Sequence, residues 1–261
     1  MIASLPPELE PFRDKLLQTQ MPCIKAISQN ERQTTPLESK VGGTPYLLKN
    51  AKWPVNRTGE SLYFLAQINF ADLPRLDPFP EKGLLQFFIF NDEHYGINFE
   101  DGEEQENFRV VFYPDPVSDT SALQNKPVLP EADEDLLPHH PDESYPLVFE
   151  PGLSYAPTTD YRFGQIFGQD FFQQFGAREW DVIDAFGKSV NAQSHRVGGY
   201  AYFTQDDPRN ANDPMILLFQ LDSDERMDLQ WGDMGVGNFF IREKDLKALD
   251  FNKVLYNWDN L

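Results

Sequence analysis

VGGTPY at 41–46 returns as VGGYAY at 197–202, LYFLAQIN at 62–69 as MILLFQLD at 215–222, and GLLQFFI at 83–89 as GVGNFFI at 235–241. The three blocks keep their order at offsets of 156, 153 and 152 residues, and ten of their 21 aligned columns are identical. Self-similarity at a fixed spacing marks a repeated structural unit. It predicts an α+β fold, mainly antiparallel β, built on an internal duplication of one β-rich motif.

Each copy reads the same way. The glycine pairs Gly42-Gly43 and Gly198-Gly199 suit a turn at positive φ or a backbone packed closely on its neighbour. Residues 62–68 and 215–221 are short apolar runs, each closed by a single glutamine, Gln67 or Gln220, and they read as buried strands. Second strands are predicted at 84–90 and 236–241, opened by Gly83 and Gly235. Helices are predicted at about 7–19, as two short elements within 165–187 ending at Gly176 and Gly187, and near 243–249. In the central pair, Phe171, Phe175, Trp180 and Ile183 mark the apolar side.

The resulting organisation is one domain over 1–261. Repeat one covers about 36–99, an acidic insertion about 100–146, a helical connector about 160–190, and repeat two about 194–251. Within 100–143, thirteen acids face only Arg109 and Lys126, and six prolines interrupt the stretch. It reads as an extended insertion with one strand, Phe108 to Tyr113.

Composition narrows the function. Forty-two acidic against 22 basic residues give a formal charge of −20, which repels phosphate backbones and anionic lipid and disfavours nucleic acid and membrane as partners. A basic protein partner fits this charge. With 22 phenylalanines and 40% hydrophobic residues the chain has the apolar surface that a packed core needs. No stretch has the length and apolarity of a membrane helix, and the first residues lack the basic-then-apolar order of a secretory signal, so the cytoplasm is the expected location. Cys23 is the single cysteine, which excludes an internal disulfide.

Chemistry is harder to find. No G-x-S-x-G elbow, Walker lysine or zinc spacing occurs, so no catalytic residue, cofactor or metal is expected. Cys23 reads as a small hydrophobe. His139-His140 reads as part of a solvated loop, and Asp222–Asp228 as an acidic turn, since Met227 stands where a calcium loop needs glycine.

The same blocks, extended as VGGTPYLLKNAKWP, SLYFLAQINFADLP, GLLQFFIFND and HRVGGYAYFTQDDPR, with ILLFQLDSDERMDLQWGDMGVGNFFIREKDL, resemble the YwqG-like family of bacterial proteins of unknown function. The resemblance runs from about 36 to 251 outside the insertion. It implies an α+β fold and a bacterial cytosolic setting, with no established activity and no catalytic residues to carry over. Genes of relatives lie near toxin and immunity genes, which implies protein binding. A distant similarity to programmed-cell-death-2-like proteins implies escort of a basic partner.

Two sets of candidates follow. A groove between the copies would gather Trp53, Gln67, His195, Arg196, Gln220, Trp231 and Asp233 around a small molecule such as a carbohydrate or peptide, as binder or enzyme. The glutamines are equally read as satisfying buried backbone groups. The acids Glu100, Asp101, Glu103, Glu104, Glu131, Asp133, Glu134 and Asp135 would meet a basic protein. Of the two functions, a non-enzymatic protein-binding module, with toxin immunity or escort as its setting, is the leading expectation.

Overall fold

Ten short segments rich in aromatic and β-branched residues become the strands of one sheet. They are β1 (Met21–Ser28), β2 (Lys40–Gly42), β3 (Tyr63–Asn69), β4 (Leu84–Ile89), β5 (Phe108–Tyr113), β6 (Ser144–Ser154), β7 (Arg196–Gly198), β8 (Ile216–Asp222), β9 (Val236–Ile241) and β10 (Leu255–Asp259). The computed structural model describes residues 5–124 and 130–261; Lys126 of the acidic insertion lies outside the described residues. The strand order is β10-β9-β8-β7-β1-β6-β2-β3-β4-β5, and every neighbouring pair is antiparallel.

The three sequence blocks fall at corresponding places on either side of the central pair β1–β6. Gly42 and Gly43 have φ of +66° and +71°, and Gly198 and Gly199 have +70° and +72°. Each second glycine lies against the central pair: a Cβ on Gly43 would sit 2.7 Å from the Ser144 Cβ, and one on Gly199 2.8 Å from the Cys23 Cβ. The ladder of β3 with β4 slips between Phe64 and Ala66, and that of β8 with β9 between Leu217 and Phe219. Such one-residue bulges bend and twist a strand. They fall at matching positions, Leu65 and Leu218.

The bends curl the sheet into a near-barrel and bring its wings together. Phe87 of β4 lies with its ring centroid 4.5 Å from Phe239 of β9 and 5.3 Å from Phe219 of β8. At the rims, the Tyr256 N–H donates to the Gly102 carbonyl at 2.9 Å. The Gln105 side chain accepts from the Val110 N–H of β5 and donates to the Phe251 carbonyl. Arg242 grips Glu103 from one wing and Asp213 from the other, and this paired hydrogen bonding raises its pKa.

Helices form a cap on one side. α1 (Arg13–Leu17), α2 (Phe163–Phe167), a 3-10 segment (Phe171–Arg178) and α3 (Glu179–Ser189) bury Leu9, Leu16, Phe163, Phe171, Val182 and Phe186 together. α4 (Glu243–Ala248) follows β9 and ends on Leu249 in the left-handed conformation.

Several expectations change. The first helix is shorter than 7–19, beginning as a 3-10 turn at Glu10. α3 runs through Gly187 to Ser189, and Gly176 marks a kink at φ +54°. Val182 and Phe186, one turn apart, set the buried face of α3, which leaves Trp180 80% exposed. The insertion is less extended than its composition implies. It supplies β5, opens β6, and lays Leu123 against Leu48 as a short β-bridge. His139 is not in a solvated loop: it is 4% exposed and hydrogen-bonds the Phe64 carbonyl at 2.9 Å.

The glycine pair gives a direct test. A Cβ at position 42 would stand 2.2 Å from the Glu143 carbonyl oxygen, whereas one at Gly59, also at positive φ, meets nothing within 4 Å. Gly42→Ala is expected to destabilise by about 2–4 kcal/mol, strain and overpacking combined, against about 1 kcal/mol for Gly59→Ala. Urea denaturation of the two variants measures the difference.

Candidate functional site

The glutamines show what the repeated polar positions do. Gln67 Oε1 accepts from the Tyr46 N–H and from Gln86 Nε2, and its Nε2 donates to the carbonyls of Pro36 and Glu38. Gln220 accepts from the Tyr202 N–H and donates to the carbonyls of Ala192 and Ser194. Both are fully buried, and each ties a preceding loop to its own half of the sheet. Each amide is spent on the loop of its own wing, so the two do not face one another across a groove.

Two buried cations occupy the adjoining position. Lys40, at the start of β2, is 0% exposed, and burial pushes its amine down to about 8 while Nζ donates to the Thr35 carbonyl. Arg196, at the start of β7, is buried with Nη2 on the Gln193 carbonyl and Nε without a partner among the described residues, and burial lowers its pKa.

His195 sits in a recess of about 320 Å3 lined by Lys25, Ser28, Asp222, Asp224 and Arg226. Its Nδ1 accepts from the Asp222 N–H at 3.0 Å, which assigns the proton to Nε2, 3.2 Å from Asp224 Oδ2. Asp224 also accepts from the Ser28 hydroxyl and the Arg226 N–H, and the His195 bond leads in lowering its pKa. Burial raises Asp222 instead. The imidazole and the Ser28 hydroxyl thus both donate to Asp224, so the imidazole is not placed to take the Ser28 proton as it is in a serine–histidine pair.

The tryptophans lie apart. Trp53 donates to the Leu62 carbonyl and packs on Phe88, outside the main core. Trp231 is 0% exposed inside it, among Tyr95, Tyr256 and Trp258, while Asp233 is exposed on the following turn. The paired aromatic and carboxylate read from Trp231-Gly232-Asp233 are therefore not one surface. Cys23 is buried against Gly152, and burial raises its thiol pKa.

One groove between the two wings has other walls. It measures about 610 Å3 and is lined by Met21, Pro22 and Gly198 on one side and Leu76, Pro78 and Phe79 on the other. None of the sequence candidates lines it.

The acids divide. Glu103 is held by Arg242, and Glu104 by Arg57 and Asn98. Glu100, Asp101, Glu131, Asp133 and Asp135 are exposed and make no ion pair with a described residue. Glu131, Asp133 and Asp135 border one open recess of about 630 Å3. Their backbone is anchored: Tyr63 donates to the Glu131 carbonyl, and Asn91 exchanges hydrogen bonds with Asp133 N–H and carbonyl. The backbone of Glu134 continues this segment as the first residue of a 3-10 turn.

A family profile described as a domain of unknown function, DUF1963, matches residues 39–260. The chain belongs to the DUF1963 family. The match spans both wings of the sheet, all the acids named above and the helical cap from α2 onward, and leaves out α1 and β1. No curated protein matches the chain. Among the described residues, no helix is long and apolar enough to cross a membrane, and no three His, Cys, Asp or Glu side chains gather as a metal ion requires.

Sequence reading missed a buried charge cluster. Asp160 and Asp207 are bridged by Arg209, with side chains 0%, 3% and 1% exposed, and Arg162 adds a second fork on Asp160. Burial pushes Asp160 up, but Arg162 and Arg209 outweigh it and leave the pKa lowered. Only the run Asp206-Asp207-Pro208-Arg209 hinted at it, and that run looks like an ordinary polar loop.

Two titrations follow from burial. His139 is held down to about 4 by full desolvation, so between that pH and 6.5 the unfolded chain takes up the proton first. Its contribution, about 3 kcal/mol, is complete above pH 6.5 and lost as pH falls towards 4. His139→Gln, which keeps a donor for Phe64, is expected to flatten the stability profile in that window when denaturation is followed from pH 4 to 7. For Lys40 the unfolded amine holds its proton up to about 10.5 while the folded one releases it near 8, so stability grows with pH between them. Lys40→Met should erase this rise, seen as a wild-type-minus-variant difference that closes by about 3 kcal/mol from pH 7 to 10.5.

Proposed function

We propose that this DUF1963 protein is a non-enzymatic binding module that captures a basic segment of a protein partner in the acidic recess at 131–135. The observation that carries the reading is the gathering of Glu131, Asp133 and Asp135 around one recess, unpaired with any described cation, on a backbone fixed by Asn91 and Tyr63. Anchored carboxylates lose little freedom on binding, which lowers the entropic cost of association. The net charge of −20 supports the same reading, because it draws cationic partners in and speeds their encounter. Glu100 and Asp101 extend the acidic surface, and Glu134 belongs to the same segment.

An immunity or escort role in the cytoplasm falls within this proposal, as does a place in the YwqG-like branch of the family. So does descent of the two wings from one duplicated motif. Matched glycine pairs, bulges and glutamines support that descent.

The test uses a fluorescent peptide of alternating lysine and glycine and measures its affinity at 50 and 300 mM salt. Binding should weaken at the higher salt, and Glu131→Lys with Asp133→Lys and Asp135→Lys should weaken it by at least about tenfold, or about 1.4 kcal/mol. Glu100→Lys with Asp101→Lys should cost less. Equal affinity of the triple variant and the parent, or no binding at low salt, would refute the assignment.

A further inference from the structure

Each wing of the sheet carries a groove at the same place, and in the first wing the chain itself fills it. Gly42, Gly43, Tyr63 and Asn91 grip residues 131–143 there. Tyr63 donates to the Glu131 carbonyl, and Asn91 exchanges hydrogen bonds with the Asp133 N–H and carbonyl. The Gly43 N–H donates to the Pro141 carbonyl at 2.8 Å, and the carbonyls of His140 and Glu143 lie over Gly42. From the other wing the loop after β8 closes over the segment, with the Gln230 N–H on the Pro138 carbonyl at 2.7 Å and Asp228 on His140.

The corresponding positions of the second wing are Gly198, Gly199, Ile216 and Glu243, and all of them line the groove of about 610 Å3 between the wings. The strand ladders set the correspondence: Tyr63 pairs with Ile89 as Ile216 pairs with Ile241, and Asn91 and Glu243 each stand two residues beyond. The loop after β3 reaches over from the first wing, as the loop after β8 does on the far side. Its Leu76 touches Gly198, where a Cβ would stand 2.7 Å from Leu76 Cδ2, and Pro78 and Phe79 complete that wall. No described segment of the chain threads this groove. The Gly199 N–H, counterpart of the Gly43 donor, makes no hydrogen bond with a described residue.

We propose that this groove binds a short, extended, proline-containing apolar segment of a partner protein, laid between the wings as residues 131–143 are laid in its twin. None of its lining residues borders the acidic recess, so the inference stands apart from the proposed capture of a basic segment. The guest adds no strand to the sheet. It lies between two walls that take its side chains, as in other peptide grooves.

The lining decides which segment fits. Contacts with the chain's own occupant fall mainly on main-chain groups, which any peptide offers, so the walls select the side chains. Where the first wing has the Tyr63 hydroxyl the second has Ile216, and Met21, Pro22, Leu76 and Phe79 continue an apolar surface suited to leucine, valine or proline. Asn91 both donates and accepts, whereas Glu243 only accepts, which fits a guest N–H. Asp77 and Glu243, both exposed at the rim, repel an acidic segment, and Lys247 is already paired with Glu243. Proline in the guest, as at Pro138 and Pro141 of the chain's own segment, reduces the entropy lost on ordering.

Fluorescence anisotropy of the full chain with the labelled, end-capped peptide Ala-Leu-Leu-Pro-Ala-Ala-Pro tests the assignment. The peptide copies residues 135–141 with alanine in place of Asp135, His139 and His140. Saturable binding with Kd below about 1 mM is expected, and aspartate at the three alanines should weaken it at least about tenfold. Glu243→Lys and Pro22→Glu, both at exposed positions, should each weaken it about tenfold with the melting temperature unchanged, while Glu243→Asn, the residue of the first wing, should bind at least as well as the parent. The triple lysine variant at 131, 133 and 135 should stay within about twofold of the parent, so this site and the acidic recess stand or fall separately. With photoreactive leucine in the peptide, cross-links should land within 21–22, 76–79 or 216. No saturable binding, equal affinity for the aspartate peptide, unchanged affinity in both Glu243→Lys and Pro22→Glu, loss in Glu243→Asn or in the triple variant, or cross-links confined elsewhere would overturn it.

Discussion

Everything in this fold hangs on the pairing of β1 with β6. Eight consecutive residues, Met21 to Ser28, run antiparallel to Ser154 to Leu147, and each wing of the sheet is attached to one side of this ladder. β7 joins it through β1 and β2 through β6. The attachments are short, three residues each, and tight, because Gly43 and Gly199 let the chain turn directly over Ser144 and Cys23. The bulges at Leu65 and Leu218 then bend both wings towards each other, and the phenylalanines of β4, β8 and β9 close the core. A side chain at either second glycine would push a wing away from the centre before any core contact formed.

Most polar side chains inside the fold are spent on backbone or on an opposite charge. Gln67 and Gln220 saturate loop carbonyls and amides, and Lys40 and Arg196 each cap a carbonyl of the loop ahead of them. Arg209 neutralises Asp160 and Asp207. Buried ion clusters contribute less to net stability than to the uniqueness of the arrangement around them, a use consistent with the cavity wall they hold under the helical cap. Features that recur in both wings therefore belong to architecture. The acidic segment at 131–135 and the cavity under the helical cap have no such counterpart in the other wing.

How much was legible follows from the same division. The six blocks announced their strands because glycines bound aliphatic and aromatic runs of strand length, a pattern that needs no tertiary context. The central strands did not. β6, SYPLVFEPGLS, carries Pro146 and Pro151, which in a sequence argue against a middle strand. It tolerates them because each has a ladder neighbour on one side alone: Pro146 pairs with Lys40 of β2 just beyond the end of the β1 ladder at Leu147, and Pro151 pairs with Ile24 of β1 where β2 no longer reaches. β1 contains Pro22 and a lysine, and its partners lie more than a hundred residues away. Among site residues, His195 was named as a groove candidate, but its partners Ser28 and Asp224 come from distant strands and turns. Trp231 and Asp233 are two residues apart in sequence, yet one is buried inside the core and the other exposed on a turn.

The bridging of the outer strands has a bearing on how any partner can be held. Proteins with a bare sheet edge can recruit a peptide as an additional strand, with main-chain hydrogen bonds supplying most of the affinity. Here Gln105 already occupies Val110 on one rim, and Gly102 occupies Tyr256 on the other. A guest strand would have to displace the chain's own segment at these positions. Under the proposed binding role, recognition would therefore rest on side-chain chemistry, where the charge and shape of a guest decide the outcome, and not on backbone templating.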